Sequence, residues 1–238
     1  EKKQGTDELL LTLPATDLEI VLGKYSAVLS IYTVSLLLSA SHVLVLLWLG
    51  SPDLGLMFVN YLGFWLIGAA LIAIGMLASQ LSSNVTIAFI LGAIFCSIAS
   101  SVEAITGTLS NFLSKLVGPL GVFVHFEDFG RGVITLTGLL YFSAVTCLFI
   151  YINVLLLSRR HWPRSINGMR LSTHNIIRVS AAIVIAVSVI SIIGRLGIRV
   201  DGTAERIHSL SRETKSLLKQ IDSDRPVFVQ AYVSPTVP

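Results

Sequence analysis

Five long apolar runs constrain the fold of this chain more than any other feature of its sequence. A helix needs about 20 apolar residues to cross the hydrocarbon core of a bilayer. Only 13% of the residues are charged, whereas soluble domains carry roughly 25%. We therefore predict an all-α polytopic membrane protein, embedded in lipid, with about five transmembrane helices. The predicted spans are residues 25–49, 54–79, 85–102, 132–157 and 176–194.

The placement of arginine predicts the orientation of these spans. Basic residues concentrate in a linker, residues 158–175, and just beyond it, and no acidic residue accompanies them. The positive-inside rule makes this linker cytoplasmic. Alternating the spans then places the N-terminal segment in the cytoplasm and the segments 50–53, 103–131 and 195–238 outside. The arginines concerned are Arg159, Arg160, Arg164, Arg170 and Arg178.

The segment before the first span predicts a short cytoplasmic helix, residues 6–14. Thr6 can cap this helix, the acids that follow suit its first turn, and Pro14 ends it. A second helix start follows at Thr16, because Thr16 and Glu19 have capping-box spacing. A short helix joined by a tight corner to a span could transmit movement from a soluble partner. It could equally be an interfacial helix that only anchors the chain.

Small residues along the second span predict close packing inside a helix bundle. Glycine and alanine at helical spacing let helices approach closely in lipid, although glycine is common in membrane helices generally. We assign this packing role to Gly63, Gly68, Ala69, Ala73 and Gly75.

The segment 103–131 is too polar to span and too apolar for a plain loop, which suggests an interfacial helix or a re-entrant hairpin. Four ionisable residues lie close together near its end. They could form a metal or proton site, or an internally paired cluster at the membrane edge. Further metal ligands are not recognisable in the sequence. The four are His125, Glu127, Asp128 and Arg131.

Three ordered stretches resemble type-2 ABC transporter permeases, and more closely the gliding-motility-associated permease family. The first stretch contains Gly5, Thr6, Glu8, Leu9, Leu10, Leu11 and Pro14, followed by Gly23 and Lys24. The second is the run 63–81, and the third is the run 125–134. The resemblance covers residues 1–157 and implies the last four of six permease spans.

In that family the segment that matches residues 5–14 docks on the cytoplasmic ATPase subunit. The resemblance therefore implies ATPase coupling through Gly5, Thr6, Glu8, Leu9, Leu10 and Pro14. It implies a dimer of ABC ATPase subunits and a second permease half as partners. The partner subunit would use ATP and Mg, and this chain would bind no cofactor, metal or nucleic acid. It also implies that the first span rotates against its neighbours, and that the chain lies in the bacterial inner membrane.

The segment 195–238 has a different character. A predicted helix is followed by a strand-like alternation over residues 227–233, which suggests the start of an extracytoplasmic α/β domain. The run 204–218, followed by Pro226, resembles the beginning of the gliding-motility-type auxiliary protein. His208 departs from the aromatic residue expected there. The resemblance implies a natural fusion of the two subunits through the basic linker.

Several functional classes have no support in the sequence. The pair Gly23-Lys24 lacks the first glycine and the Ser or Thr of a phosphate-binding loop, so an ATPase site is not expected. No acidic residue lies within the five spans, and His42 is expected to face a bundle neighbour. We expect a transport permease that works as an exporter and is not an enzyme. The alternative is a non-transporting scaffold that anchors an extracytoplasmic domain for motility, secretion or envelope assembly.

Overall fold

The computed structural model describes residues 15–106, 121–158, 171–204, 209, 214–216 and 220. Over these residues the chain is mostly helical, as predicted, and five of its helical stretches are long and apolar enough to cross a membrane. The elements are α1 (Asp17–Ser39), α2 (Ser41–Leu49), α3 (Leu54–Leu81), α4 (Val85–Thr106), α5 (Val122–Gly130), β1 (Val133–Thr135), α6 (Leu136–Ser158), α7 (Leu171–Leu196) and β2 (Arg199–Asp201).

Helix α3 is the centre of the bundle. It packs against α1, α4, α5 and α6, while α7 packs against α6. In its most apolar 18-residue window 44% of the residues are buried, compared with none in the windows of the first, third and fifth spans. The outer helices therefore present apolar side chains outward, such as Ile31, Phe89 and Ile192. This is the distribution expected where lipid replaces water around the bundle.

The first span consists of two consecutive helices. Together α1 and α2 cover Asp17–Leu49, which is 33 residues and about 50 Å of helix, longer than a bilayer core of about 30 Å. The helix is interrupted at Ala40, the one residue between them. Among the described residues, the ring of His42 makes no hydrogen bond to another span. Its Nδ1 lies 2.7 Å from the carbonyl oxygen of Ser39 in the same span, and the side chain is exposed. In the part of the chain that the structure describes, His42 therefore does not face a bundle neighbour, contrary to the expectation.

The fourth span begins later than the sequence suggests. We expected a helix from residue 132, but Arg131 and Gly132 form a turn, β1 follows, and α6 starts at Leu136. Gly132 has φ of +81°, a left-handed conformation that ends helical continuity and that glycine adopts without strain. The β-branched run Val133-Ile134-Thr135 then pairs with a strand that hydropathy alone could not reveal.

That partner is β2, immediately after the fifth span. The two strands are antiparallel, with Val133 opposite Asp201, Ile134 opposite Val200 and Thr135 opposite Arg199. The pairing brings the segment after α7 to the same end of the bundle as the α5–α6 corner. The α/β domain predicted for residues 195–238 falls mostly outside the described residues, apart from β2 and the turn that follows it.

Candidate functional site

Two groups of predicted site residues lie outside the described residues. One is the coupling segment with Gly5, Thr6, Glu8, Leu9, Leu10 and Pro14. The other is the set of linker arginines Arg159, Arg160, Arg164 and Arg170. Their predicted roles stay predictions.

The helix that follows the coupling segment starts as the sequence predicts. The Thr16 hydroxyl oxygen accepts from the Glu19 N–H at 3.3 Å, and the Glu19 carboxylate accepts from the Thr16 N–H at 2.7 Å. This reciprocal capping box satisfies two backbone donors at the N-terminus of α1. Helix α1 therefore begins at a fixed position, Asp17, three residues after Pro14, and continues to Ser39.

A line of interhelical hydrogen bonds joins α1 to α3, and we call it the polar seam. Its α1 members lie seven residues apart, at Tyr25, Tyr32 and Ser39, with Thr33 beside the second. This spacing keeps them on one face of the helix. The bonds are Tyr25 Oη to the Ala69 carbonyl (3.1 Å), Tyr32 Oη to the Phe64 carbonyl (2.8 Å), Trp65 Nε1 to Thr33 Oγ1 (2.9 Å), and Ser39 Oγ with Tyr61 Oη (3.1 Å).

The polar seam connects two candidate membrane spans, Asp17–Leu49 and Leu54–Leu81, through side-chain hydrogen bonds. Interhelical hydrogen bonds in membrane proteins contribute about 0.6 kcal/mol each, so four of them contribute roughly 2 kcal/mol beyond apolar packing. They also fix the rotation of α1 about its axis, since each needs its own side chain to face α3. Hydropathy patterns carry no such information, and only the heptad spacing of the two tyrosines and Ser39 could have signalled it.

The predicted packing residues serve different neighbours of α3. A Cβ atom on Gly68 would overlap the ring of Tyr32, and one on Gly63 would lie 2.8 Å from the Cβ of Phe129. Gly68 therefore admits α1, and Gly63 admits α5. Ala69 and Ala73 are buried. Gly75 differs from the other four, because a Cβ there would meet nothing within 4 Å.

Asn153 joins α6 to the surface of α3 that these small residues form, which we call the small-residue surface. Its amide nitrogen donates to the Ala73 carbonyl at 3.1 Å and to the Phe149 carbonyl at 2.7 Å. The side chain is fully buried, and its Oδ1 has no hydrogen-bond partner. A buried amide that bonds another helix is costly to misplace in lipid. The sequence signal for this residue is an amide side chain within a run of leucine, isoleucine and aromatic residues, and no role is predicted for it from the sequence.

The cluster on α5 divides into an inner and an outer part. The ring of His125 stacks on Tyr141 of α6, with centroids 4.0 Å apart. Glu127 instead pairs with Arg131 at 2.5 Å, with both side chains about 60% exposed. Asp128 is partly buried. Within the described part of the chain, no three His, Cys, Asp or Glu side chains come together as metal ligands would. These contacts fit an internally paired cluster beside an aromatic core.

Asp53 forms a further polar junction at this end of the bundle. One carboxylate oxygen accepts from the Leu56 N–H at 3.0 Å and caps α3, and the other accepts from the Ala204 N–H at 2.9 Å. These two backbone donors, Leu56 first, hold the pKa of Asp53 below its ordinary value of 3.8. The loop 50–53 and the segment after α7 were both predicted to lie outside, and the structure places them at the same end of the bundle.

No protein-family model matches this chain, and neither a curated protein nor a solved structure matches it. The fold and contacts described above are therefore the basis for any functional assignment.

Proposed function

We propose that this chain is the membrane-spanning permease subunit of an ATP-driven transporter and that a separate cytoplasmic ATPase drives it. The observation that carries the proposal is the polar seam. A force applied to the segment before Thr16 enters α1 at its capping box, and the seam passes it to α3, the central helix. A chain that only anchors a domain has no need of such a connection.

The polar seam changes the movement that we propose. Rotation of α1 alone would break all four seam bonds together, at a cost of roughly 2 kcal/mol before any apolar contact is lost. Movement of α1 and α3 as one body keeps them intact. We therefore propose that α1 moves together with α3, in place of a rotation of the first span against all its neighbours.

Co-purification tests the docking step. The chain is expressed with the ATPase encoded nearest to it, and binding and chain-stimulated ATP hydrolysis are measured. We expect Glu8→Arg and Leu10→Asp to abolish both, because one reverses a charge and the other puts a charge on an apolar contact. Lys3→Glu, a charge change outside the Gly5–Pro14 motif, serves as the control. Unchanged binding and stimulation in the first two variants would show that the segment does not dock.

Seam variants test the transmission step separately. Tyr32→Phe combined with Trp65→Phe removes two seam bonds and keeps an aromatic side chain at both positions. We expect ATPase binding to persist while the stimulation of ATP hydrolysis falls. If binding persists and stimulation is unaffected, the seam has no part in transmission. If no ATPase binds the unaltered chain, the scaffold alternative becomes the better account.

A further inference from the structure

The segment after the fifth span does not leave the bundle as a free tether. Residues 197–204, which we call the strap, turn back at Gly197 and run along the end of the bundle. β2 pairs with β1, and two backbone bonds extend the pairing on either side. The Leu136 N–H donates to the Ile198 carbonyl at 3.2 Å, and the Gly202 N–H donates to the Gly132 carbonyl at 2.9 Å. One side of the strap is thus attached to the α5–α6 corner.

The other side of the strap is attached to the start of α3. Asp53 accepts from the Ala204 N–H. The Gly55 Cα lies so close to the strap that a Cβ there would overlap the Gly202 carbonyl oxygen. Thr203, between these contacts, is only 5% exposed. Its N–H and hydroxyl both donate to Asp201, which holds the turn after β2.

We propose that the strap fastens the outer end of α3 to the α5–α6 corner, so that the two can separate there only if the strap opens. The strap crosses from one to the other, and the hydrogen bonds given above join it to both places. Under the proposed permease function, which this inference extends, strap opening would accompany any movement that opens this end of the bundle. The chain beyond Ala204 would be displaced at the same time.

Thiol labelling tests whether the strap is closed in membranes. In a background with Cys96 and Cys147 changed to alanine, Thr203→Cys and Val200→Cys are treated with a membrane-impermeant maleimide. Val200 is 60% exposed and Thr203 is 5% exposed. We expect the cysteine at position 203 to react at least about tenfold more slowly than the cysteine at position 200, because it reacts only after local opening. Equal rates would overturn the proposal.

Two glycines of the same helix supply matched variants. Gly55→Ala puts a methyl group against the Gly202 backbone, which cannot rotate away, whereas Gly75→Ala points into open space. We expect Gly55→Ala to remove most of the difference between the two labelling rates and Gly75→Ala to preserve it. The proposal fails if the two variants label alike.

A disulfide provides an independent test of the strap. The 136–198 and 132–202 pairs are hydrogen-bonded, so alternation makes Thr135 and Arg199 a pair without hydrogen bonds, about 4.5 Å apart at Cα. That separation suits a disulfide. We expect Thr135→Cys with Arg199→Cys to oxidise readily, as measured by loss of thiols after denaturation. Ile134→Cys with Arg199→Cys places the thiols on opposite faces and should oxidise much more slowly. Similar rates for both pairs would contradict the strap.

The locked strap also separates this inference from the proposed function. If the chain stimulates its ATPase, oxidation of the Thr135/Arg199 cysteine pair should reduce the stimulation and a reductant should restore it. Stimulation that is insensitive to the lock would refute strap opening while leaving the permease function in place. Absence of any stimulation would refute the permease function, and the labelling rates alone would then decide whether the strap exists.

Discussion

Asn153 shows how one side chain can define an interface in a lipid environment. Its amide nitrogen donates to the Ala73 carbonyl on α3 and to the Phe149 carbonyl within α6. The unpartnered Oδ1 in the same group is a cost, since a buried acceptor without a donor loses about 1–3 kcal/mol of solvation. The gain at the nitrogen and the cost at the oxygen therefore oppose each other within a single residue.

Substitution of Asn153 should separate these two effects. Asn153→Leu removes the orphan oxygen along with the donor, and we expect its stability to change by less than about 1 kcal/mol. Asn153→Asp keeps the shape but puts a carboxylate in the bundle, and we expect a loss of about 2–3 kcal/mol at neutral pH. Thermal unfolding in detergent measures both. A larger loss for leucine than for aspartate would mean that the amide donor dominates.

Asp53 provides the corresponding test with pH. Its folded-state pKa is lowered by the Leu56 and Ala204 N–H groups, so its contribution to stability is fully present above its ordinary pKa and is lost as pH falls through the lowered value. We expect the unfolding temperature of the wild type to converge with that of Asp53→Asn in this acidic window. Because other acids titrate there too, the difference between the two proteins is the quantity to follow. A difference in unfolding temperature that stays constant with pH would exclude a contribution of the Asp53 carboxylate to stability at this junction.

At the scale of elements, the sequence was sufficient to locate helices and insufficient to orient them. Thr16 and Glu19 specify the start of α1 through a local interaction, which a sequence pattern can carry. The facing of α1 toward α3 depends on bonds between residues more than 20 positions apart. The late start of α6 has the same origin, because Val133–Thr135 becomes a strand only through its distant partner.

The small-residue surface of α3 gives a prediction at this scale. A methyl group on Gly68 would displace the Tyr32 ring and its bond to Phe64, so we expect Gly68→Ala to cost about 1–3 kcal/mol. Gly75→Ala meets no neighbour and should be neutral or stabilising by up to about 1 kcal/mol. Thermal unfolding in detergent distinguishes them. Equal effects would mean that close approach of α1 does not depend on Gly68.

For the whole molecule, charge placement and span alternation predicted which segments share a side of the membrane. The loop 50–53, the α5–α6 corner and the strap were all expected outside, and in the structure they contact one another. Which side they occupy remains a prediction from the arginine linker. The candidate coupling site could be recognised only by resemblance, because its chemistry is that of a contact surface with no local signature.

Cysteine mapping tests this arrangement. Single cysteines replacing Ser51, Arg131 and Val200, all exposed in the structure, should react with an impermeant maleimide added to intact cells. A cysteine replacing Ser83, at the other end of α3, should react only after the cells are opened. Labelling of Ser83→Cys in intact cells would invert the predicted orientation, and a split among the first three would contradict the fold.

The near-contact of Gly55 with Gly202 also has a consequence for how this chain can diverge. A side chain at Gly55 is excluded by main-chain atoms, so no adjustment of neighbouring side chains can relieve it. Homologous sequences that keep the strap should therefore keep glycine at position 55, while those that have lost the strap should be released from that restriction. Glycine at this one position would then serve as a sequence marker for which relatives have a fastened outer end.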